Sequence, residues 1–251
     1  MPDVDKSGAT KSTRDKSLLI LMLALGLVGV ATLGFAPLET ILPPQIHIPR
    51  AVLLIQPAII TMLCALLGWW ALPRTGLDAP VLRGLLARSD WAGPLRRSLF
   101  STGTIAALVT GILVVYSLAT AQVVLNMPQL DIPLIARVGY GGIGEEIIAR
   151  WGLLTAFMAL VLRLGQTRRF AFWTANSLAA LLFAMGHFGV LFAMMAHPPL
   201  WLLSAVLIGN FIPAAAFGWL YRQFGIESAM LAHGGAHALF WGLATLGYVA
   251  A

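Results

Sequence analysis

Apolar runs of roughly 20 residues recur along this chain, the length a helix needs to cross a ~30 Å hydrocarbon core. Seven can be traced, at about 17–36, 51–72, 98–123, 133–162, 170–195, 200–221 and 227–250. No water reaches backbone N–H and C=O groups inside a bilayer, so such segments satisfy themselves by coiling into helices. Composition agrees: 59% of residues are hydrophobic and 10% charged, where a soluble domain carries about 25% charged residues. The expected fold class is all-α, a polytopic transmembrane helical bundle of about seven spans.

The placement of charge gives the bundle an orientation. The formal net charge is +6, but the basic residues sit in short segments between apolar runs. That pattern reads as topology and lipid contact, with no nucleic acid among the partners. The N-terminal tail holds Lys6, Lys11, Arg14 and Lys16, and the 73–97 connection holds Arg74, Arg83, Arg88, Arg96 and Arg97. Alternate connections follow with Arg163, Arg168 and Arg169, then Arg222, whereas the intervening ones hold only Arg50 and Arg137. The bias predicts a cytoplasmic N-terminus. The first run is longer than a signal-peptide core and lacks a clear cleavage site, so it reads as a retained anchor.

The expected organisation is a tail at 1–16 and one helical membrane domain at 17–251, with its motif-bearing core at about 133–250. Val81, Leu82, Leu85 and Leu86 lie beside Arg83 and Arg88, with Trp91 following. They suit an interfacial amphipathic helix or an ordinary loop held by lipid charge. Pro37, Pro43 and Pro44 mark a short outer loop. The single cysteine, Cys64, excludes an intrachain disulfide.

Against this apolar background stands Glu145-Glu146-Ile147-Ile148-Ala149-Arg150-Trp151. A charge at membrane depth costs ~2.5–3.5 kcal/mol on insertion scales, so it persists with a partner or a task. Arg150 follows Glu146 by four residues, the favourable order for a helical ion pair. Glu145 is turned about 100° away on an α-helix. One carboxylate is expected to brace the helix with Arg150, leaving the other free for chemistry.

Three of the five histidines fall inside apolar runs. His187 ends Phe183-Ala184-Met185-Gly186-His187, and His233 and His237 share one helix face in His233-Gly234-Gly235-Ala236-His237. His47 and His197 lie in outer connections beside prolines, where a solvated role is the default. Each buried group has a bland explanation. A lone intramembrane His or Asn, such as Asn210, serves as a hydrogen bond between helices, and the small residues around His233 suit close packing. The conjunction is harder to explain that way: an unpaired Glu and three His on three different spans.

A carboxylate and an imidazole can share a water and take its proton, making a nucleophile for a peptide carbonyl. Further histidines can donate to the oxyanion that develops. The same residue types also suit zinc, which takes His nitrogen and Glu oxygen and activates a bound water. If zinc were bound, Glu145, His187, His233 and His237 would be its ligands. The soluble metalloprotease signature H-E-x-x-H is absent.

At these residues the chain resembles the CPBP family of intramembrane endopeptidases, which includes type II CAAX prenyl proteases and bacteriocin-processing and immunity proteins. The family pattern runs E-E-x-x-x-R, F-x-x-x-H and H-x-x-x-N or D. The first two match fully at Glu145–Arg150 and Phe183–His187, and the third appears with His237 in place of the amide or acid. The resemblance covers about residues 140–245. It implies that Glu145 and His187 activate the water, that Glu146 and Arg150 brace the helix, and that His233 and His237 stabilise the oxyanion. It favours a glutamic-type mechanism without metal, and a membrane-anchored protein or peptide as substrate. A bacterial inner membrane is the expected location.

Depth adds one requirement. A fourth span starting near Pro133, with a break or kink around Gly141-Gly142, puts Glu145 ~18 Å deep at 1.5 Å per residue, within reach of His233. Two rivals stand beside the peptidase: a proton-coupled transporter, which would favour repeats that this sequence lacks, and a non-catalytic immunity or binding scaffold, which His237 favours.

Overall fold

The computed structural model describes residues 15–41, 48–124 and 131–247, and among them the chain is helical throughout, with no strand. The expectations for His47, Pro43 and Pro44 and for nearly all of the 1–16 tail fall outside those residues.

Helix α1 (Lys16–Thr32) starts where the Asp15 carboxylate accepts the N–H groups of Ser17 and Leu18 at 2.9 and 3.2 Å. These are donors that the first turn leaves without an intrahelical partner. Then come α2 (Ile55–Ala71), α3 (Pro80–Leu86), with proline in its first turn, and α4 (Ala92–Val124). Helix α5 runs through Leu134–Ala136, Arg137–Glu145, Ile147–Leu154 and Thr155–Arg163. Helices α6 (Arg168–Gly186) and α7 (Phe188–Met194) meet at His187. Helices α8 (Leu200–Phe224) and α9 (Ile226–Thr245) are joined by Gly225 alone, whose φ of +101° is open to glycine and strained for other residues.

Five stretches are long and apolar enough to cross a membrane: Lys16–Phe35, Arg50–Arg74, Ala92–Ala121, Arg168–Met194 and Leu200–Phe224. Large apolar side chains such as Ile20, Leu63, Phe100 and Leu108 face outward. Lipid calls for such a surface, and water disfavours it. The other two expected spans are α5 and α9, which are not among these five.

Helix α5 is the axis of the bundle. It packs against α1, α2, α6, α8 and α9, while α4 covers α8 and α9 from the other side. Trp151 is completely buried and donates from Nε1 to the Ala65 carbonyl at 3.0 Å, tying α5 to α2. Near the same end, Thr155 and Tyr221 share a buried hydroxyl–hydroxyl hydrogen bond of 3.1 Å between α5 and α8.

The expected break at Gly141-Gly142 is replaced by a widening. Arg137–Glu145 and Ile147–Leu154 are π-helical, and the Thr155 N–H reaches back five residues to the Arg150 carbonyl. Such segments are rare and concentrate at functional sites. The glycines here serve close packing: a Cβ on Gly142 would lie 2.9 Å from the Gly234 Cα, so α5 and α9 approach backbone to backbone.

The short helix expected after the second span forms as α3 and is anchored to the bundle. The Glu227 carboxylate, at the head of α9, accepts the Leu82 N–H at 2.7 Å. Arg83 pairs with Asp15 at 3.0 Å and with Asp78 at 2.6 Å. Val81 is buried while Leu85 and Leu86 are exposed.

Candidate active site

Glu146 and Arg150 form the ion pair that their spacing predicts, Oε1 to Nη1 at 3.0 Å, with both side chains essentially buried. The Arg150 guanidinium lies 4.8 Å from the Phe183 ring and 5.4 Å from the Phe217 ring. Aromatic faces attract such a cation, and its flat, weakly hydrated group stacks well on them. Glu146 Oε2 and Arg150 Nη2 have no hydrogen-bond partner among the described residues.

Glu146 does more than brace α5. Its Oε1 also accepts from Nδ1 of His233 at 2.8 Å, linking α5 to α9. A carboxylate can only accept here, so Nδ1 carries the proton and the ring is held in one orientation. Phe217 of α8 stacks on the other side of that ring, with centroids 4.8 Å apart and planes at 19°. His233 is thus fixed by hydrogen bonding and by packing, and its Nε2 is left for other partners.

Two groups meet that nitrogen. His237 Nε2 lies 3.2 Å away, with the two rings stacked at 4.9 Å, and Glu145 Oε2 lies 3.9 Å away. Glu145 makes no hydrogen bond to another described residue, and its side chain is 22% exposed where that of Glu146 is fully enclosed. Expecting the two glutamates to face different ways is correct for their burial and wrong for their target. Both reach the same imidazole, one at each nitrogen. The π-helical backbone turns less per residue than an α-helix, which brings neighbouring side chains toward a shared face.

His187 caps the end of α6, and its Nδ1 lies 3.0 Å from the Phe183 carbonyl. A carbonyl only accepts, so Nδ1 is the donor and, in the neutral ring, Nε2 keeps its lone pair. Phe183 also packs edge-on to the rings of His187 and His233, at 4.9 and 6.3 Å. This one side chain touches His187, His233 and Arg150.

A cavity of about 210 Å³ brings these groups together. Glu145, His187, His233 and His237 all line it, along with Arg137, Tyr140 and Asn210. Leu33, Ile132 and Ala136 also line it, so it extends to the end of the bundle where α1 finishes and α5 begins. Sequence reasoning passed over Phe217, Tyr140 and Arg137. Aromatic residues are ordinary in apolar runs, and Arg137 counted there only as a topological charge. Asn210, read as glue between helices, instead bonds within its own helix, donating from Nδ2 to the Val206 carbonyl at 2.8 Å. His197 is exposed, as expected.

The zinc alternative needs at least three protein ligands around one point. Among the described residues no three His, Cys, Asp or Glu side chains are grouped to hold one ion.

With this geometry established, comparison with known families is informative. Residues 128–239 match the model described as "Type II CAAX prenyl endopeptidase Rce1-like". That segment contains all three motifs, and the match bears out the CPBP resemblance drawn from them. No curated protein and no solved structure matches the chain. Together with the apolar helices, the match identifies an integral membrane protein.

Proposed function

We propose, on the premise that residues 128–239 match the type II CAAX prenyl endopeptidase Rce1-like family, that the chain is an intramembrane endopeptidase of the glutamic type. It hydrolyses a peptide bond of a membrane-associated protein or peptide with water activated by Glu145 and His187. The observation that carries this reading is the contrast between neighbouring carboxylates. Glu146 is sealed against Arg150 and His233, whereas Glu145 has no hydrogen-bond partner among the described residues and lines a cavity with three histidines.

In this reading a cavity water donates to Glu145 while the free Nε2 of His187 accepts from the same water. The resulting nucleophile attacks the scissile carbonyl, and the proton returns to the leaving amine. The His237 Nε2–H, which rests against the lone pair of His233 Nε2, turns to donate to the developing oxyanion, with the His233 ring as its support. Glu146 supports that role by fixing the Nδ1–H of His233. No step in this reading is assigned to a metal.

Seven spans with a cytoplasmic N-terminus complete the proposal, with α5 and α9 crossing as motif-bearing spans shielded by the others. The cavity then extends toward the outer face, and a bacterial inner membrane is the proposed setting.

A cleavage assay on membrane-anchored peptides, in liposomes containing the full chain, tests the mechanism. Glu145→Gln and His187→Ala should each lower turnover by about 10²–10⁴-fold. Undiminished turnover in Glu145→Gln would sink the glutamic mechanism. Complete loss of wild-type activity on chelation, restored by zinc, would replace it with a metal-dependent one.

A further inference from the structure

One turn in the cavity wall is built differently from the rest of α8. Pro213 is buried inside that helix and has no N–H to give the Gly209 carbonyl four residues earlier. In lipid a carbonyl freed in this way is costly, and it persists where the backbone lines a cavity. Gly209, Asn210, Pro213 and Phe217 all line the cavity that holds Glu145 and the histidines. Gly209 has no side chain, so what it contributes to that wall is backbone. A Cβ added there would lie 3.3 Å from the Tyr116 ring, so α4 holds this turn closely. Asn210 stands next to it. Its Nδ2 gives one hydrogen to the Val206 carbonyl at 2.8 Å, which fixes the plane of the amide. The second Nδ2 hydrogen and Oδ1 have no partner among the described residues. An acceptor and a donor thus sit on consecutive residues of one cavity wall.

From this arrangement we infer that the Gly209 carbonyl and the Asn210 amide form a positioning subsite that takes the backbone of one extended substrate residue. The inference rests on the peptidase reading and deepens it. In an extended chain the N–H and C=O of a single residue point to the same side, which is how facing antiparallel residues exchange two hydrogen bonds. The substrate N–H donates to the Gly209 carbonyl, and the C=O of the same residue accepts from Asn210 Nδ2. Main-chain bonds of this kind hold a peptide whatever its side chains, so the subsite sets position and leaves sequence to other contacts. Spacing along α8 places it. Phe217, stacked on the His233 ring, is seven residues from Asn210, about 10 Å at the α-helical rise. Extended chain covers that distance in about three residues. The engaged residue therefore lies about three from the scissile carbonyl. A helical segment has its N–H and C=O groups already paired, so the substrate must unwind there before it is cut.

The test uses the full chain in liposomes and, as probe, a palmitoyl-anchored fluorescent peptide of alanine and leucine. A series of analogues replaces one backbone N–H at a time with an ester oxygen. Binding is measured to the Glu145→Gln protein, and cleavage with wild type. One ester position should weaken binding by about 3- to 10-fold, the scale of one net hydrogen bond, and raise KM by a similar factor with kcat little changed. Pro213→Ala returns an N–H to the Gly209 carbonyl, so it should abolish that ester effect while the unfolding temperature holds or rises. In a separate arm, Asn210→Ala should weaken binding of the parent peptide by about 3- to 10-fold without lowering the unfolding temperature, and Asn210→Gln should recover part of the loss. The inference is overturned if the parent peptide fails to bind, if no ester position matters, if the ester effect survives Pro213→Ala, or if Asn210→Ala binds as tightly as its parent. Cleavage that shows none of these dependences leaves the peptidase reading standing without the subsite. Binding with the expected ester pattern and no cleavage keeps the subsite and defeats the peptidase reading instead.

Discussion

Glu146 Oε1 accepts the Nδ1–H of His233 at 2.8 Å while lying 3.0 Å from the Arg150 guanidinium. One buried carboxylate therefore holds both the charge that balances α5 and the ring that α9 contributes to the cavity. Removing the charge of Glu146 strands Arg150 in an apolar interior, and breaking a buried pair in this way costs about 3–5 kcal/mol. Glu146→Gln should lower the unfolding temperature in detergent markedly. Glu146→Gln combined with Arg150→Met should recover most of the loss, because it leaves no stranded cation and keeps an acceptor for His233. An unfolding temperature unchanged in the single variant would show that the pair is not the brace.

Glu145 predicts the opposite phenotype one residue away. Its side chain lines the cavity without a hydrogen bond to another described residue. Glu145→Gln should leave thermal stability within about 0.5 kcal/mol, as for substitutions that break no buried contact, while turnover is lost. The two adjacent variants, compared in the same melting and cleavage assays, separate structural from chemical acids.

His237 stands where the family pattern has an amide or an acid. Its Nε2 is 3.2 Å from that of His233, and an asparagine Nδ2 donates at any pH. His237→Asn should keep kcat/KM within about tenfold of wild type in the liposome cleavage assay, because the amide replaces the imidazole as donor. Loss of all activity in this variant would argue that His237 has a role an amide cannot fill.

The contact between α5 and α9 admits no side chain at Gly142, whose added Cβ would lie 2.9 Å from the Gly234 Cα. Gly142→Ala should cost about 1–3 kcal/mol by overpacking and reduce turnover by spreading Glu145 from His233. Gly103→Ala is the control, since nothing lies within 4 Å of that position. It should be neutral or slightly stabilising in melts of the same preparation.

Glu227 clamps the head of α3 through the Leu82 N–H at 2.7 Å. Glu227→Ala should cost about 0.5–2 kcal/mol, the scale of a lost helix cap, and speed tryptic cleavage at Arg88. Glu227→Gln, which keeps an acceptor, should restore most of the protection.

Much of this was legible in the residues alone. Run length and the sparseness of charge determined a helical membrane protein, because unpaired backbone cannot exist in lipid. The order Glu146 then Arg150 determined their pairing, because helical neighbours four apart must meet. The three motifs pointed to the family and to residues that line the candidate cavity. Tertiary structure decided the rest. Which acid His233 would bond and which aromatic ring would stack on it depend on contacts between helices far apart in sequence. A pattern along one helix holds no information about the rotation of its neighbour. The π-helical turn at Glu145 was also beyond the sequence, since glycine tolerates a break and a widening equally, and packing against Gly234 selected between them.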